Sequence, residues 1–387
     1  MKEEIEAKFK EIFGIEGRIK TYFAPGRVNL IGEHTDYNGG HVFPCTLTMG
    51  TYATVRKRED NILNFYSMNF DELGILSSSL ENLVFNQKDN WTNYPKGVIW
   101  ALKDEGYNIE TGFDIVFMGT IPNGAGLSSS ASIEVLTAFL LNDIFKLGLD
   151  LTKIALIGQK AENKYVGVNC RIMDQFTIAN GKKDNAIFLD TANLEYEYTP
   201  ISLTDLKIVI MNTNKKRGLG DLKYNERRSE CERGLVDLQK ELSIKTLGDL
   251  NEEQYEQSKH LIESEIVAKR VKHAVYENQR TIKAEQALKN NDLKLFGELM
   301  VASHNSLRDD YEVTGIELDT LVEEALKQNG VIGAKMTGAG FGGCAVSIVK
   351  ENKIKSFIKN VEENYRAKIG YNPEFYVVEI GEGPKVL

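Results

Sequence analysis

The sequence predicts an α+β fold, because its strand and helix patterns do not alternate regularly as βαβ units would. A second observation is the stretch of about 225–310, which is long, highly charged and helical in pattern and contains no proline. A third is the length of 387 residues, which is typical of two or three domains. We place a domain boundary near 180–205 and divide the chain into domains 1–195 and 196–387.

In the first half, an amphipathic pattern predicts a helix at the start, and apolar residues at helical spacing predict another over 91–105. Residues 113–117 have an apolar centre and apolar ends, as a strand does. Residues 22–40 are rich in glycine and turn residues, so we expect an irregular segment there. The remaining predicted elements are strands over 42–55 and 61–67 and helices over about 132–145 and 151–165.

In the second half, two short apolar stretches separated by turn residues predict a hairpin at 186–189 and 195–198. The apolar run 206–211 predicts a buried strand. The remaining predicted elements are the helices within about 225–310, a helix over 316–328 and strands over 344–349 and 373–379.

Composition excludes several classes of protein. A net charge of −9 argues against bulk nucleic-acid binding, which needs a basic face. The mean hydropathy is −0.30 and no apolar run approaches 18 residues, so we expect no membrane span. The four cysteines lie far apart, without a CxxC pair, and the first residues are acidic where a signal peptide would be apolar. We therefore expect reduced thiols in a cytoplasmic protein.

The segment 122–132 (PNGAGLSSSAS) follows a predicted strand and opens a predicted helix. The free N–H groups and the positive end of a helix dipole bind anions at such a place, and glycines allow a close approach. The segment is not a Walker A loop, because no lysine follows its last glycine. The alternative is a serine-rich helix cap with glycine in a turn.

The segment 24–40 places Arg, Glu, His, Asp, Tyr and Asn side chains within a short stretch between glycines. Burying such groups without partners costs about 1–3 kcal/mol each. They therefore lie either on a solvated loop or around a polar ligand. A sugar suits them, because its hydroxyls both donate and accept hydrogen bonds.

Two further places are weaker on their own. Glu162 and Asp174 are carboxylates that could ligate Mg²⁺ or accept a proton, although a lone carboxylate is more often a surface charge. The segment 335–343 (KMTGAGFGG) formally matches GxGxxG. A strand rather than a helix follows it, so we reject a dinucleotide site and keep close packing against another loop as the alternative.

Taken together and in this order, the four segments resemble the GHMP small-molecule kinases, and 26–37 resembles the galactokinase signature. Segments 212–214 and 224–228 resemble the sugar-site segment of that family's second domain. The resemblance spans essentially the whole chain. It implies an N-terminal domain with a ribosomal-protein-like α+β fold and a ferredoxin-like C-terminal domain, with ATP and sugar in the cleft between them.

The resemblance also implies an activity, which is ATP-dependent phosphorylation of D-galactose at its anomeric C1 hydroxyl. Asp174 would be the catalytic carboxylate, with Arg27 beside it. The residues implied to hold the sugar are Glu33, His34, Thr35, Asp36 and Tyr224. Those implied to hold ATP are Ser67, Gly124, Ala125, Gly126, Leu127, Ser128, Ser129 and Ser130. Ser130 and Glu162 would ligate Mg²⁺.

One position departs from the family pattern, and alternatives remain open. Position 171 is Arg where the family usually has Gly, so we expect weaker sugar binding, an altered sugar preference or lower turnover. If the position needed a positive φ, Arg would cost roughly 1–2 kcal/mol. The alternatives are a kinase for N-acetylgalactosamine or arabinose, and a non-catalytic galactose sensor. We expect a sugar and ATP as partners, with no nucleic acid and no membrane, and the sequence carries no prediction of oligomeric state.

Overall fold

The computed structural model describes residues 1–122, 126–168, 170–215 and 220–387. Its helices are α1 Lys2–Phe13, α2 Asn93–Asp104, α3 Ser129–Phe145, α4 Leu151–Lys160, α5 Met173–Asn180, α6 Gly220–Leu238, α7 Glu252–Ser258, α8 Glu265–Lys289, α9 Leu293–Asp309, α10 Gly315–Leu326 and α11 Ile354–Ile369. Its strands are β1 Lys20–Asn29, β2 His41–Val42, β3 Pro44–Lys57, β4 Ile62–Ser67, β5 Leu76–Ser79, β6 Phe113–Gly119, β7 Asn185–Asp190, β8 Tyr196–Pro200, β9 Leu206–Asn212, β10 Val331–Thr337, β11 Cys344–Lys350, β12 Glu374–Val378 and β13 Lys385–Val386. These elements confirm the α+β class.

A six-stranded sheet forms the centre of the first half, in the order β13-β1-β3-β6-β4-β5. Its pairs are antiparallel except for β4 and β6, which run parallel. Apolar side chains of α2, α3, α4 and α5 pack on the sheet as one buried cluster, and α1 contributes Ile5 and Phe9 to a second, smaller cluster. Helices therefore cover the sheet, and β1 is buried along almost its whole length.

The second half contains a four-stranded antiparallel sheet in the order β10-β11-β9-β12. Helices α10 and α11 contribute Leu318, Leu321, Phe357 and Val361 to its core. The predicted strands 206–211, 344–349 and 373–379 correspond to β9, β11 and β12, and the predicted hairpin corresponds to β7 and β8.

A continuous apolar core joins the two halves. Val28 of β1 and Phe43 lie in one buried cluster with Ile208 of β9 and Phe296 of α9. The final strand β13 returns to the first sheet and pairs with β1. The domain division at 195/196 stays a prediction, and it falls in the turn between β7 and β8. Within the described ranges, no helix is long and apolar enough to cross a bilayer.

The largest difference from the sequence-based expectation is β1. Its ten residues run through the first part of 22–40, where we expected irregular structure. Pro25 and Gly26 obscure the strand pattern, because both are rare inside strands. The sheet accommodates them with an irregularity in register between Pro25 and Arg27, and such bulges redirect the side chains that follow. Helix α3 also begins at Ser129 rather than near 132, and α4 passes into a π-helical turn, Ala161–Val166.

The glycine-rich segment 335–343 packs closely against another loop, which confirms the alternative reading of that motif. Gly340 has φ +80°, and a Cβ atom there would lie 2.3 Å from the backbone oxygen of Val313. The amide of Phe341 donates to the same oxygen at 2.7 Å. Only glycine fits this contact.

Replacing Gly340 with Ala should lower the free energy of unfolding by more than the cost of a positive φ alone, because the added Cβ atom would also meet the backbone oxygen of Val313. The matched control is Gly370→Ala, because Gly370 has φ +95° and open space around its Cβ position. The control should lose about 1–2 kcal/mol, and Gly340→Ala about 1–3 kcal/mol more. Thermal unfolding of both variants measures the difference, and equal midpoints would contradict the packing argument.

Candidate active site

An ion pair joins the first long strand to the start of α5. Arg27, on β1, donates from Nε to Oδ1 of Asp174 and from Nη2 to Oδ2, each at 2.9 Å. A guanidinium fork matches the two oxygens of a carboxylate, so this pair fixes the orientation of both side chains. Arg27 is 5% exposed and Asp174 is 29% exposed. The carboxylate therefore keeps one side open to a ligand.

The segment 122–132, called the Gly/Ser loop below, contacts the same pair through its described residues. Nη1 of Arg27 donates to the backbone oxygen of Gly126 at 2.8 Å, and the Ser128 hydroxyl donates to Oδ2 of Asp174. Ser128 has φ 60° and ψ 49° directly before α3, a conformation that costs a non-glycine residue about 1–2 kcal/mol. The end of the loop is therefore anchored on Arg27 and Asp174.

The other positions of the loop differ in exposure. Leu127 is buried in the core, whereas Ser129 is exposed and Ser130 half-buried in the first turn of α3. The free N–H groups of that turn favour an anion. Gly124 and Ala125, which the resemblance also assigns to ATP, lie outside the described residues. The assignment of this loop to ATP stays a prediction.

Two buried carboxylates lie beside the start of α3. Glu162, in the π-helical turn, lies near enough to the Ser130 hydroxyl for that hydroxyl to favour the charged form of its carboxylate. The side-chain amide of Gln175 donates to Glu162 at 2.7 Å and to Glu134 at 2.9 Å, so one amide group holds both carboxylates. Burial raises the pKa of Glu162, and the charge of Asp174 adds to that rise. Burial also raises the pKa of Glu134.

The hydroxyl of Ser130 and the carboxylate of Glu162 fit a magnesium ion bound with a nucleotide. Mg²⁺ prefers oxygen ligands and usually keeps several waters and phosphate oxygens, so one or two protein ligands are enough. Oε1 of Glu134 has no hydrogen-bond partner in the described ranges. Across those ranges, no group of three or more His, Cys, Asp or Glu side chains is arranged to hold a metal by itself.

The polar segment after β1 begins with a buried carboxylate. Glu33 pairs with Nζ of Lys335, a residue of β10 in the second half of the chain, and their side chains are 1% and 0% exposed. Burial raises the pKa of Glu33, whereas the lysine charge lowers it. The segment 335–343 therefore contacts the segment 24–40 directly.

His34 sits in an aromatic environment. Its Nδ1 lies 2.7 Å from the hydroxyl of Tyr37, and its Nε2 lies 3.2 Å from the backbone oxygen of Ala339. The rings of Tyr311 and Tyr224 lie 4.9 and 5.6 Å from the imidazole, between ring centroids. Burial lowers the pKa of His34 to about 3, so the ring is neutral near pH 7.

Asp36 lies close enough to Asp174 for the two carboxylates to repel each other. It is half-buried, and its Oδ1 accepts the N–H of Tyr37 at 3.0 Å. Burial raises the pKa of Asp36 to about 6, the charge of Asp174 adds to the rise, and the charge of Arg171 opposes it. Burial raises the pKa of Tyr224, and Asp36 and Asp174 raise it further. Two carboxylates, a phenol and a guanidinium therefore act on one another here.

Arg171 does not have the backbone conformation that would penalise it. Among the described residues, the non-glycine positions with a positive φ do not include Arg171. The conditional backbone cost stated above therefore does not arise. The side chain is half-buried, and its Nε has no hydrogen-bond partner in the described part of the chain.

Two of the implied site residues have local structural contacts. Thr35 is fully buried, and its hydroxyl lies 2.8 Å from the backbone oxygen of Gly32 and 2.6 Å from that of His41. It shapes the turn that carries His34. Ser67 ends β4, is buried, and accepts the N–H of Asn69 at 3.2 Å. The roles of Thr35 toward sugar and of Ser67 toward the nucleotide stay predictions.

Sequence reasoning missed several residues that contact the site. Glu134 stands four positions after Ser130 and Gln175 directly after Asp174, and the helical i, i+4 spacing places Glu134 on the same face as Ser130. That spacing was a signal for Glu134. The contacts of Lys335 and Tyr311 join segments far apart in the sequence, so no local pattern indicates them.

The comparisons with known proteins agree with this arrangement. Residues 7–57 match the galactokinase galactose-binding signature, 93–182 the N-terminal domain of GHMP kinases and 284–367 their C-terminal domain. The galactokinase of Clostridium acetobutylicum is 59% identical over 383 residues, which cover 99% of this chain and 98% of that protein. The chain belongs to the galactokinase family. Another galactokinase, from Ligilactobacillus salivarius, is 55% identical over 386 residues and the full length of both proteins.

Solved structures give the same picture. The crystal structure of Lactococcus lactis galactokinase in complex with galactose superposes with a TM-score of 0.96 at 48% identity, covering 100% of this chain and 99% of that one. A Methanococcus jannaschii mevalonate kinase, 20% identical with a TM-score of 0.65 over 95% of this chain and 99% of that one, shares the fold. The two-domain GHMP kinase fold expected for a galactokinase is therefore confirmed.

Replacing Asp36 with Asn should raise stability near pH 7. The pKa of Asp36 is higher in the folded chain than its ordinary value of 3.8, so folding takes up a proton between about pH 4 and pH 6. The resulting penalty is absent below pH 4 and full above pH 6, where it amounts to about 2–3 kcal/mol. Asn removes it and still accepts the N–H of Tyr37.

Thermal unfolding at pH 7.5 and pH 4 measures this effect, and the gain from Asp36→Asn should shrink at pH 4. The control is Asp60→Asn, because Arg58 lowers the pKa of Asp60 to about 2. That change should have the opposite sign at pH 7.5. A lower midpoint for Asp36→Asn at pH 7.5 would refute the burial argument.

Proposed function

We propose that the chain transfers the γ-phosphoryl group of ATP to the C1 hydroxyl of D-galactose. One observation carries the proposal. Asp174 is hydrogen-bonded to Arg27 and to Ser128 of the Gly/Ser loop, and its charge raises the pKa of Asp36 in the segment 24–40, which is the predicted sugar segment. A carboxylate between a phosphate-binding loop and a sugar-binding segment is where phosphoryl transfer to a sugar needs one. The galactokinase relatives support the same activity.

The proposed sugar-binding residues match the chemistry of hydroxyl groups. Asp36 and Glu33 accept hydrogen bonds, Tyr224 both donates and accepts, and the neutral ring of His34 can do either. Tyr224 comes from α6 in the second half, so sugar binding would involve both halves of the chain.

Asp174 has a defined capacity to accept a further hydrogen bond. Its Oδ2 accepts from Nη2 of Arg27 and from Ser128, whereas its Oδ1 accepts only from Nε of Arg27 among the described residues. A carboxylate oxygen has two lone pairs. We therefore assign the open side of Oδ1 to the attacking hydroxyl, which Asp174 orients and whose proton it receives as transfer proceeds.

ATP would lie with its phosphates at the end of the Gly/Ser loop and the first turn of α3. Ser130 and Glu162 would hold Mg²⁺, which when bound offsets negative charge on the phosphate oxygens. Arg27 adds a fixed positive charge beside the reacting groups, and a fixed charge stabilises developing negative charge without reorganisation.

We place the enzyme in the cytoplasm. The described cysteines form no disulfide, which is consistent with a reducing compartment.

Two other functions remain distinguishable by one assay. A kinase for N-acetylgalactosamine or arabinose would release ADP faster with that sugar than with galactose in a coupled assay. A non-catalytic sensor would bind galactose and ATP without releasing ADP. Galactose is favoured because the Lactococcus lactis relative, with a TM-score of 0.96, was crystallised with it.

Replacing Asp174 with Asn should lower kcat by roughly 10²–10⁴-fold while KM for ATP stays within about twofold. Arg27→Lys should also be strongly impaired, because a point charge cannot form the bidentate pair. The control is Asp104→Asn, whose side chain is 51% exposed at the end of α2. Steady-state kinetics test both, and activity of Asp174→Asn within tenfold of the parent would rule out its catalytic role.

Replacing Arg171 with Gly should move the acid limb of the pH profile of kcat/KM for galactose upward by about 1 pH unit. Arg171 opposes the rise in the pKa of Asp36, so its removal makes Asp36 harder to ionise. Arg171→Lys keeps the charge and is the control. At pH 8, equal kcat/KM for Arg171→Gly and the parent would also remove the expectation that Arg171 weakens sugar binding.

A further inference from the structure

A lysine of the C-terminal half lies directly under the predicted sugar segment. Lys335, on β10, is fully buried, and its ammonium donates to Oε2 of Glu33 and, at 2.7 Å, to the backbone oxygen of Met336. Glu33 and Lys335 are 302 positions apart in the sequence. The pair therefore connects the two halves of the chain at the sugar segment.

The ion pair is poorly explained as a means of stabilisation. Taking two charges out of water costs several kcal/mol per ion, and apolar residues of the same volume are often at least as stable in such positions. The side chains of Lys335 and Glu33 are 0% and 1% exposed, so neither charge keeps contact with water to offset that cost. A function that needs the carboxylate of Glu33 explains why its partner is a buried cation.

Only one oxygen of that carboxylate is used within the described ranges. Oε2 of Glu33 accepts from Lys335, and the backbone N–H of Gly338 also favours the charged carboxylate, whereas Oε1 is buried and has no hydrogen-bond partner of good geometry among the described residues. An unpaired buried acceptor is unfavourable unless a ligand satisfies it. A sugar hydroxyl is a donor that would do so.

The backbone on either side of Glu33 is fixed by the same half of the chain. His273 of α8 contacts the backbone oxygen of Glu33 at 3.1 Å, and the N–H of Gly32 donates to Glu277, also of α8, at 3.0 Å. Neither the main chain nor the side chain of Glu33 is then free to turn Oε1 elsewhere.

The same face of β10 makes a second contact with the end of β1. Thr337 is two positions after Lys335, so both side chains point to one face of the strand. Its hydroxyl donates to the backbone oxygen of Asn29 at 3.0 Å and accepts the N–H of Asn29 at 3.3 Å. Strand β10 therefore holds the segment at both Asn29 and Glu33.

We propose that Lys335 is a positioning residue for sugar recognition: it holds Oε2 of Glu33 so that Oε1 accepts a hydrogen bond from one sugar hydroxyl. The inference rests on the proposed role of Glu33 in the sugar site. It gives the segment 335–343 a part in substrate selection, in addition to its close packing.

The experiment compares Lys335→Met with the parent in the full chain. KM for galactose should rise by roughly 10- to 100-fold, the range that losing one charge-assisted hydrogen bond produces. KM for ATP should stay within about twofold. Lys335→Arg keeps a cation at Glu33 and should recover most of the galactose affinity. Galactose-dependent thermal stabilisation, measured without ATP, gives a readout of binding that is separate from turnover.

Arg56→Met is the matched control for a merely structural effect. Arg56 pairs with the buried carboxylate of Asp114, on the part of β6 next to α1. The control should unfold at a lower temperature with an unchanged KM for galactose. If Lys335→Met behaves in the same way, with lower stability and an unchanged KM, the proposal is wrong and Lys335 is only structural.

A panel of deoxygalactoses, each lacking one hydroxyl, identifies the contact. In the parent, the analogue that lacks the partner of Glu33 should bind more weakly than galactose, and in Lys335→Met the two should bind alike. If every analogue loses as much in Lys335→Met as in the parent, the proposal fails.

Two further measurements keep the test decisive. If Lys335→Met does not fold, the double variant Lys335→Met/Glu33→Gln replaces the ion pair with a neutral one and should show the same loss of discrimination; retained discrimination would overturn the proposal. Failure of the proposed function looks different, because the parent itself would then release no ADP with galactose. An active parent with an unaffected Lys335→Met would overturn only the role of Lys335.

Discussion

The geometry of the site depends on the guanidinium of Arg27. Its three nitrogens bond to both oxygens of Asp174 and to the backbone of Gly126, so one buried side chain holds α5 and the Gly/Ser loop on strand β1. Arginine is suited to this because its donors are planar and fixed relative to one another. The register irregularity before Arg27 directs the fork, and the apolar core around β1 keeps the strand from shifting.

Around that pair, the site combines groups from both halves of the chain. The Gly/Ser loop, Glu162 and Asp174 come from the first half, whereas Tyr224, Lys335 and the helix α8 come from the second. The two halves share a continuous buried core, so their relative position is set by packing rather than by a single linker. Helix α8 fixes the main chain of the sugar segment, and β10 fixes its buried carboxylate. A change in the packing between the halves would therefore reach the sugar segment and the Gly/Ser loop together.

Much of this arrangement could be predicted from the sequence, and the exceptions have physical reasons. The residues proposed to carry out the reaction lie in short segments with strong local patterns, and the family matches confirm the resemblance to the GHMP kinases that those segments indicated. Strand β1 was missed because Pro25 and Gly26 interrupt its pattern and tertiary packing overrides local propensity. The buried network of Glu33, Lys335 and Glu277 depends on contacts between distant segments, which no single-sequence pattern carries. A backbone cost at Arg171 was expected only if its φ were positive, and the φ of Arg171 is not positive.

The pairing of β13 with β1 has a consequence for how the chain is made. Synthesis runs from the N terminus, so the strand that carries Arg27 leaves the ribosome early, whereas residues 385–386 leave it late. Until then the outer edge of β1 beside Tyr22 and Phe23 lacks its native neighbour, and an open strand edge invites pairing with another chain. Nascent chains are therefore more vulnerable to intermolecular association at this edge than the finished enzyme, and chaperone protection would matter most in that interval.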